Sequence, residues 1–110
     1  MAEMKTKLVG VTFEGRQDNV INLKEGQELH ALFEDNNPFD PCAILLHANT
    51  DGITLTEPVG YLKKELAKDL RDQNTKGWSY KFFVEQVTGQ EKQSKGVNIK
   101  ILATLQPTQP

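Results

Sequence analysis

The stretch EDNNPFDPCAILLHANTDG, residues 34–52, sets acids, amides and two prolines directly before an apolar run. Asn37 precedes Pro38 and Asp40 precedes Pro41, so both are pushed toward extended backbone. Asn and Asp side chains also bond nearby backbone groups and stabilise turns. One reading is therefore architectural: the amides and the carboxylate are consumed in aiming the strand that follows. The other puts Phe39 exposed at the tip, with Asp40 beside it as an acceptor. An aromatic face next to a carboxylate suits a nucleobase carrying a sugar hydroxyl, because the ring stacks and the carboxylate takes the hydroxyl proton. The same carboxylate repels phosphate. It favours a strand end, where a hydroxyl replaces the next phosphodiester.

A second stretch, EPVGYLKKELAKDL, carries Lys63 and Lys64 near the expected start of a helix. Backbone N–H groups and two ammonium groups there would make a phosphate cradle; the alternative is a solvated lysine pair. Trp78, Tyr80 and Phe82 recur at strand period, either as a stacking platform or as core. With so few aromatics in the chain, packing has the stronger claim on them. His30, His47 and Cys42 match no metal-ligand spacing. No nucleophilic triad, G-x-x-x-x-G-K-[ST] loop or G-x-G-x-x-G is present, so neither catalytic residues nor a cofactor is expected. Glu34, Asp35 and Asp40 leave one enzymatic alternative, a Mg²⁺-dependent nuclease or hydrolase.

Composition frames these candidates. The 110 residues are 37% hydrophobic and 25% charged, which argues against disorder and suits one domain with a modest core. No apolar run approaches the roughly 20 residues that span a bilayer. One cysteine and no signal-peptide pattern point to a reducing, cytoplasmic setting. Net charge is −2 but uneven: residues 1–60 hold four basic residues against ten acids, and residues 61–110 nine against five. Any basic patch must come mainly from the second half.

The elements that must position these groups follow from periodicity. KTKLVGVTF (5–13) reads as a first strand and EGRQDN as a turn. ELHALFE (28–34) alternates as a half-buried strand, and CAILLHA (42–48) is apolar on both faces, hence central. ITLTEPVGYL (53–62) reads as a strand broken by Pro58. From Leu62 the period changes: Leu62, Leu66, Ala67 and Leu70 make a helical stripe that fades toward Gly77. WSYKFFVEQVTG and GVNIKILATL alternate around a polar loop, which predicts a hairpin. The order β, β, β, β, α, β, β predicts a mainly β (α+β) fold with one main helix, a small OB-like or SH3-like barrel of about six strands. One domain over 1–104 and a flexible tail over 105–110 are expected.

In combination, VGVTF (9–13), GQELHALFEDNNPFDPCAILL (26–46) and VGYLKKELA (59–67) resemble the HIRAN domain. The order and gaps are more specific than any one piece, and the resemblance is strongest over about residues 7–72. It implies an OB-like barrel that grips the 3′-hydroxyl end of single-stranded DNA, without catalysis and in the setting of DNA repair or processing. A helicase, nuclease or other protein would then act in trans. Carried over by position, Asn37, Phe39 and Asp40 form the end pocket. Phe39 stands where a tyrosine is common, and Asp40 takes the terminal hydroxyl. Phe13 is the second wall of the base clamp, and Lys63 falls on the phosphate-contacting position, with Lys64 as the near alternative. The DNA-binding member has a basic residue just before the aromatic of the first strand; here it is Thr12, and Arg16 is the nearest substitute. A protein-interaction module on the same fold is the rival reading, and it predicts a pocket closed by side chains.

Overall fold

A computed structural model describes residues 2–50, 52–89 and 94–106. Period-two alternation becomes six strands: β1 (Ala2–Lys7), β2 (Glu28–Phe33), β3 (Ile44–Thr50), β4 (Leu55–Tyr61), β5 (Trp78–Thr88) and β6 (Gly96–Leu105). Two helices join them, α1 (Gln17–Val20) and α2 (Lys64–Asn74). All strand pairs are antiparallel, in the order β1-β6-β5-β2-β3-β4. The chain is thus mainly β with one substantial helix.

Burial follows the sequence pattern where the pattern is strongest. In β6 the alternate residues Val97, Ile99, Ile101 and Ala103 are buried, and the first three share one core with Phe82 and Val84 of β5. In β3, Ile44 through Ala48 are buried on both faces, as an interior strand requires. α2 buries Ala67 and Leu70 beneath its exposed charges, and Gly77, at φ +100°, lets the chain leave it for β5.

The expected barrel does not close. β1 and β4 are the two edges of the ladder, and among the described residues one isolated bridge, Val9–Tyr61, links the segment after β1 to the end of β4. Its two bonds run from Val9 N–H to the Tyr61 carbonyl (2.8 Å) and from Tyr61 N–H to the Val9 carbonyl (2.9 Å). The cause is local. The first strand ends at Lys7, short of the expected Phe13, and Gly10 at φ +69° swings the chain away before a second pair can form. Val11 is buried all the same, from a turn and not from a strand. A short seam lies between β2 and β5, which pair at Glu28–Phe83 and Leu29–Phe82 and are extended by Val84, bonded to Gly26 N–H and the Gln27 carbonyl just before β2.

Two further expectations change. Pro58 does not break its strand, because β4 is an edge, where a missing N–H costs no ladder bond. Pro58 lies opposite His47, at a register shift between Leu46 and His47. The 14–19 stretch, read as a turn, also contains the start of α1, whose Asn19 Nδ2 donates to the Pro58 carbonyl at 2.8 Å. Leu105 still pairs with Trp78, and Gln106 N–H reaches the Gly77 carbonyl; the rest of the expected tail, 107–110, lies outside the described residues, as does most of the 90–95 loop.

His47 is buried in β3 directly opposite His30. Burial holds its imidazole below the ordinary value, against smaller opposing effects from the Leu45 and His30 backbone and from Glu34. A depressed histidine pKa means that the unfolded chain takes up the proton first. Its contribution is intact above the ordinary histidine value of about 6.5 and is lost as pH falls below it. The thermal midpoint should drop between about pH 7.5 and about pH 5.5, and less steeply in His47→Phe.

Candidate functional site

The loop between β2 and β3 is closed at its base by Glu34 N–H to the Ala43 carbonyl (2.9 Å). Within it Asn37 is the organiser. Its Oδ1 accepts from the N–H groups of Phe39 (2.8 Å) and Asp40 (3.0 Å), and its Nδ2 donates to Glu34 Oε1 (3.1 Å). Asp40 Oδ1 accepts from Cys42 N–H at 3.0 Å, while no described group donates to its Oδ2. The architectural reading of this turn is therefore met in part, and the exposure that the chemical reading requires is present. Asn37 is spent on shape, Asp40 keeps one oxygen for other partners, and Phe39 is held out with 88% of its surface exposed.

A second loop, residues 10–16, faces it. Gly10, Glu14 and Gly15 all have positive φ, at +69°, +54° and +74°, which folds the segment back on itself. Arg16 Nη1 closes it by donating to the Gly10 carbonyl at 2.7 Å. Gln17 fastens it from below: its Nε2 donates to the carbonyls of Val11 and Lys95, both at 2.9 Å, and its Oε1 accepts from Lys95 N–H at 2.8 Å. Phe13 sits on this loop with 66% of its surface exposed.

Tyr61, the last residue of β4, lies at the floor. Its hydroxyl donates to Glu34 Oε1 at 2.6 Å, and the Arg16 guanidinium carbon stands 5.1 Å from its ring centroid. Burial, then the Glu34 bond, pushes the phenol up to about 12, so it remains a donor at any physiological pH. α2 begins just beyond, with Lys63 as the N-cap residue and no side chain capping the first turn.

These pieces enclose one open cavity of about 530 Å³, within the range of small-molecule sites. Phe13, Asn37, Phe39, Asp40 and Lys64 line it, together with Glu14, Arg16 and Tyr61. An adjoining cavity of about 570 Å³ shares Glu14, Asn37, Phe39 and Tyr61 and adds the acids Glu34 and Asp35.

No family model matches the chain, and no curated protein matches it. Among solved structures, the crystal structure of the HIRAN domain of human HLTF superposes with a TM-score of 0.65 over 91% of this chain and 73% of that one, at 22% identity. The chain has the HIRAN fold.

On this HIRAN-like scaffold the residues singled out from sequence do not all converge. Five of the six line the first cavity, and Lys63 is outside its lining although Lys64 is within it. Three lining residues with polar side chains were not singled out as site residues: Glu14, Arg16 and Tyr61. Arg16 had a signal as the nearest base to Thr12; Tyr61 had only its place before the lysine pair.

The aromatic stripe of β5 is packed. Phe82 is buried, and the half-buried Tyr80 donates its hydroxyl to the Leu70 carbonyl at 2.8 Å, tying β5 to α2. The carboxylates of the nuclease alternative are separately engaged: Glu34 with Asn37 and Tyr61, Asp35 with Arg71, Asp40 with its own turn. Among the described residues no three metal-binding side chains converge, and no helix is long and apolar enough to cross a membrane.

Proposed function

We propose that this chain is a non-catalytic module that binds single-stranded DNA and grips its 3′-hydroxyl end. The observation that carries the reading is that the exposed Phe39 ring, the Asp40 carboxylate, Phe13 and Lys64 all border a single open cavity. Each has a distinct task. The terminal base stacks on Phe39 with Phe13 as the opposing wall, each base–aromatic contact contributing about 1–3 kcal/mol. The terminal 3′-hydroxyl donates to Asp40, a charge-assisted bond with a geometric demand that a phosphodiester cannot meet. Lys64 neutralises the preceding phosphate, and Asn37 keeps the Phe39–Asp40 pair in register.

The HIRAN fold supports this reading, since DNA binding is the activity that the resemblance to HIRAN domains implies. The open cavity favours it over a protein-interaction module, for which a pocket filled by side chains is expected. With no motor or hydrolytic site assigned, the module would guide a helicase or nuclease acting in trans, in DNA repair or processing. The lone cysteine, Cys42, suits a reducing, cytoplasmic setting.

Fluorescence anisotropy with a short oligonucleotide at low salt tests the assignment. A 3′-hydroxyl end should bind more tightly than a 3′-phosphate end, and affinity should fall with added salt. Asp40→Asn should lower this end preference more than it lowers total affinity. Equal affinity for the two ends in the native protein would refute the end pocket and leave only general electrostatic binding.

A further inference from the structure

We propose that Glu14 is the residue that makes the cavity refuse a phosphorylated or continuing strand, by occupying the Arg16 guanidinium that would otherwise take the phosphate. The inference rests on the reading that this cavity receives a strand end.

Arg16 is an unusual lining residue, because only 6% of its surface is exposed. Its Nη1 is committed to the Gly10 carbonyl, and its buried Nε has no acceptor among the described residues. The charge is met by a single carboxylate, Glu14, at 3.3 Å from Nη2. That is long for a charge-assisted bond, which settles at about 2.7–2.9 Å. The Glu14 side chain is also 82% exposed, so its carboxylate stands at the cavity surface, between the guanidinium and any incoming anion. A buried guanidinium stacked on the Tyr61 ring, with Glu14 as its one counter-ion among the described residues, is an anion site that Glu14 already fills.

The position of Glu14 gives this pairing a consequence. It lines both cavities, and in the adjoining one it is joined by Glu34 and Asp35. That second space, bordered by Phe39 and Tyr61, is open to a strand running past the clamp. A hydroxyl end brings no charge to the acidic wall. A terminal phosphate or an internal phosphodiester must either face Glu14 or displace it from Arg16. Asp40 then selects for the hydroxyl, while Glu14 selects against the phosphate, and the two contributions to specificity are separable.

The test uses the full chain and Glu14→Gln, with Glu14→Asn as a second variant whose side chain tolerates positive φ. Oligonucleotides ending in 3′-hydroxyl and 3′-phosphate are titrated against each protein. Inorganic phosphate is titrated separately while the Arg16 side-chain N–H resonance is followed by NMR. Affinity for the phosphate end should rise about tenfold in the variants, and much less for the hydroxyl end, so the preference narrows. Inorganic phosphate should shift the Arg16 resonance in the variants and not in the native protein. A hydroxyl preference that is unchanged in both variants overturns the role of Glu14 while leaving the end pocket standing. If the native protein binds neither oligonucleotide, the end pocket itself fails. The phosphate titration then decides alone: a shift confined to the variants supports the Glu14–Arg16 gate, and no shift in either overturns it.

Discussion

Phe39→Ala should weaken binding to a 3′-hydroxyl oligonucleotide by roughly 5- to 150-fold, the loss of about 1–3 kcal/mol of stacking. The folded state should not notice. With 88% of its surface in water, the ring contributes almost nothing to the core, so the thermal midpoint stays where it is. The combination is the diagnostic feature, because a residue that served the fold would lose both together. Phe39→Tyr keeps the stacking face and should retain most of the affinity. Anisotropy and a thermal melt on the same three proteins give the answer. A Phe39→Ala protein that binds like the native one would remove the ring from the site.

Gly60→Ala should do the reverse and damage the fold first. A Cβ at Gly60 would stand 2.8 Å from Val11 Cγ1, 3.0 Å from the Val9 carbonyl oxygen and 3.3 Å from Leu8 Cβ. The carbonyl is the one that accepts from Tyr61 N–H, so the backbone itself must give way at the bridge between the segment after β1 and the end of β4. Overpacking of this kind costs about 1–3 kcal/mol. For a domain of this size each kcal/mol lowers the melting midpoint by about 4–8 °C. Displacing Tyr61 and the 10–16 loop should also weaken oligonucleotide binding at temperatures where the protein is still folded. Urea unfolding and anisotropy read the two effects, and a native-like midpoint would show that the bridge is not under this constraint.

The two substitutions also mark what the sequence could and could not disclose. Phe39 and Asp40 were legible because turn chemistry is local: Asn-Pro and Asp-Pro restrict the backbone at once, and Asn37 needs only its own neighbours to bond. The alternation of β6 and the stripe of α2 were legible for the same reason, since each period is written in consecutive residues. Gly60 gave no such signal: its constraint is the close approach of Val9 and Val11, which only the fold brings there. Arg16 is similar. Its partners Gly10, Glu14 and Tyr61 meet through a loop with three positive φ angles, and the amino-acid types do not announce that loop.

Lys63 and Lys64 illustrate a different loss of information. Adjacent helical residues point about 100° apart, so an error of one or two residues in the helix start exchanges which lysine faces the cavity. The helix was read from Leu62 and begins at Lys64. The barrel was over-read because six short strands and one helix are compatible with closure, and whether the edges meet depends on where the first strand stops. That point is set by Gly10, inside what looked like a continuous apolar run.

Gln17 couples distant parts of the chain. Its one carboxamide is bonded to Val11 on the Phe13 loop and to Lys95 just before β6, 78 residues further along. The aperture between the two phenyl rings is therefore not set by the rings' own neighbourhood alone. A pull or a substitution at the far end of the β5–β6 hairpin is transmitted to one jaw of the clamp through three bonds of a single side chain, without anything touching the opening itself.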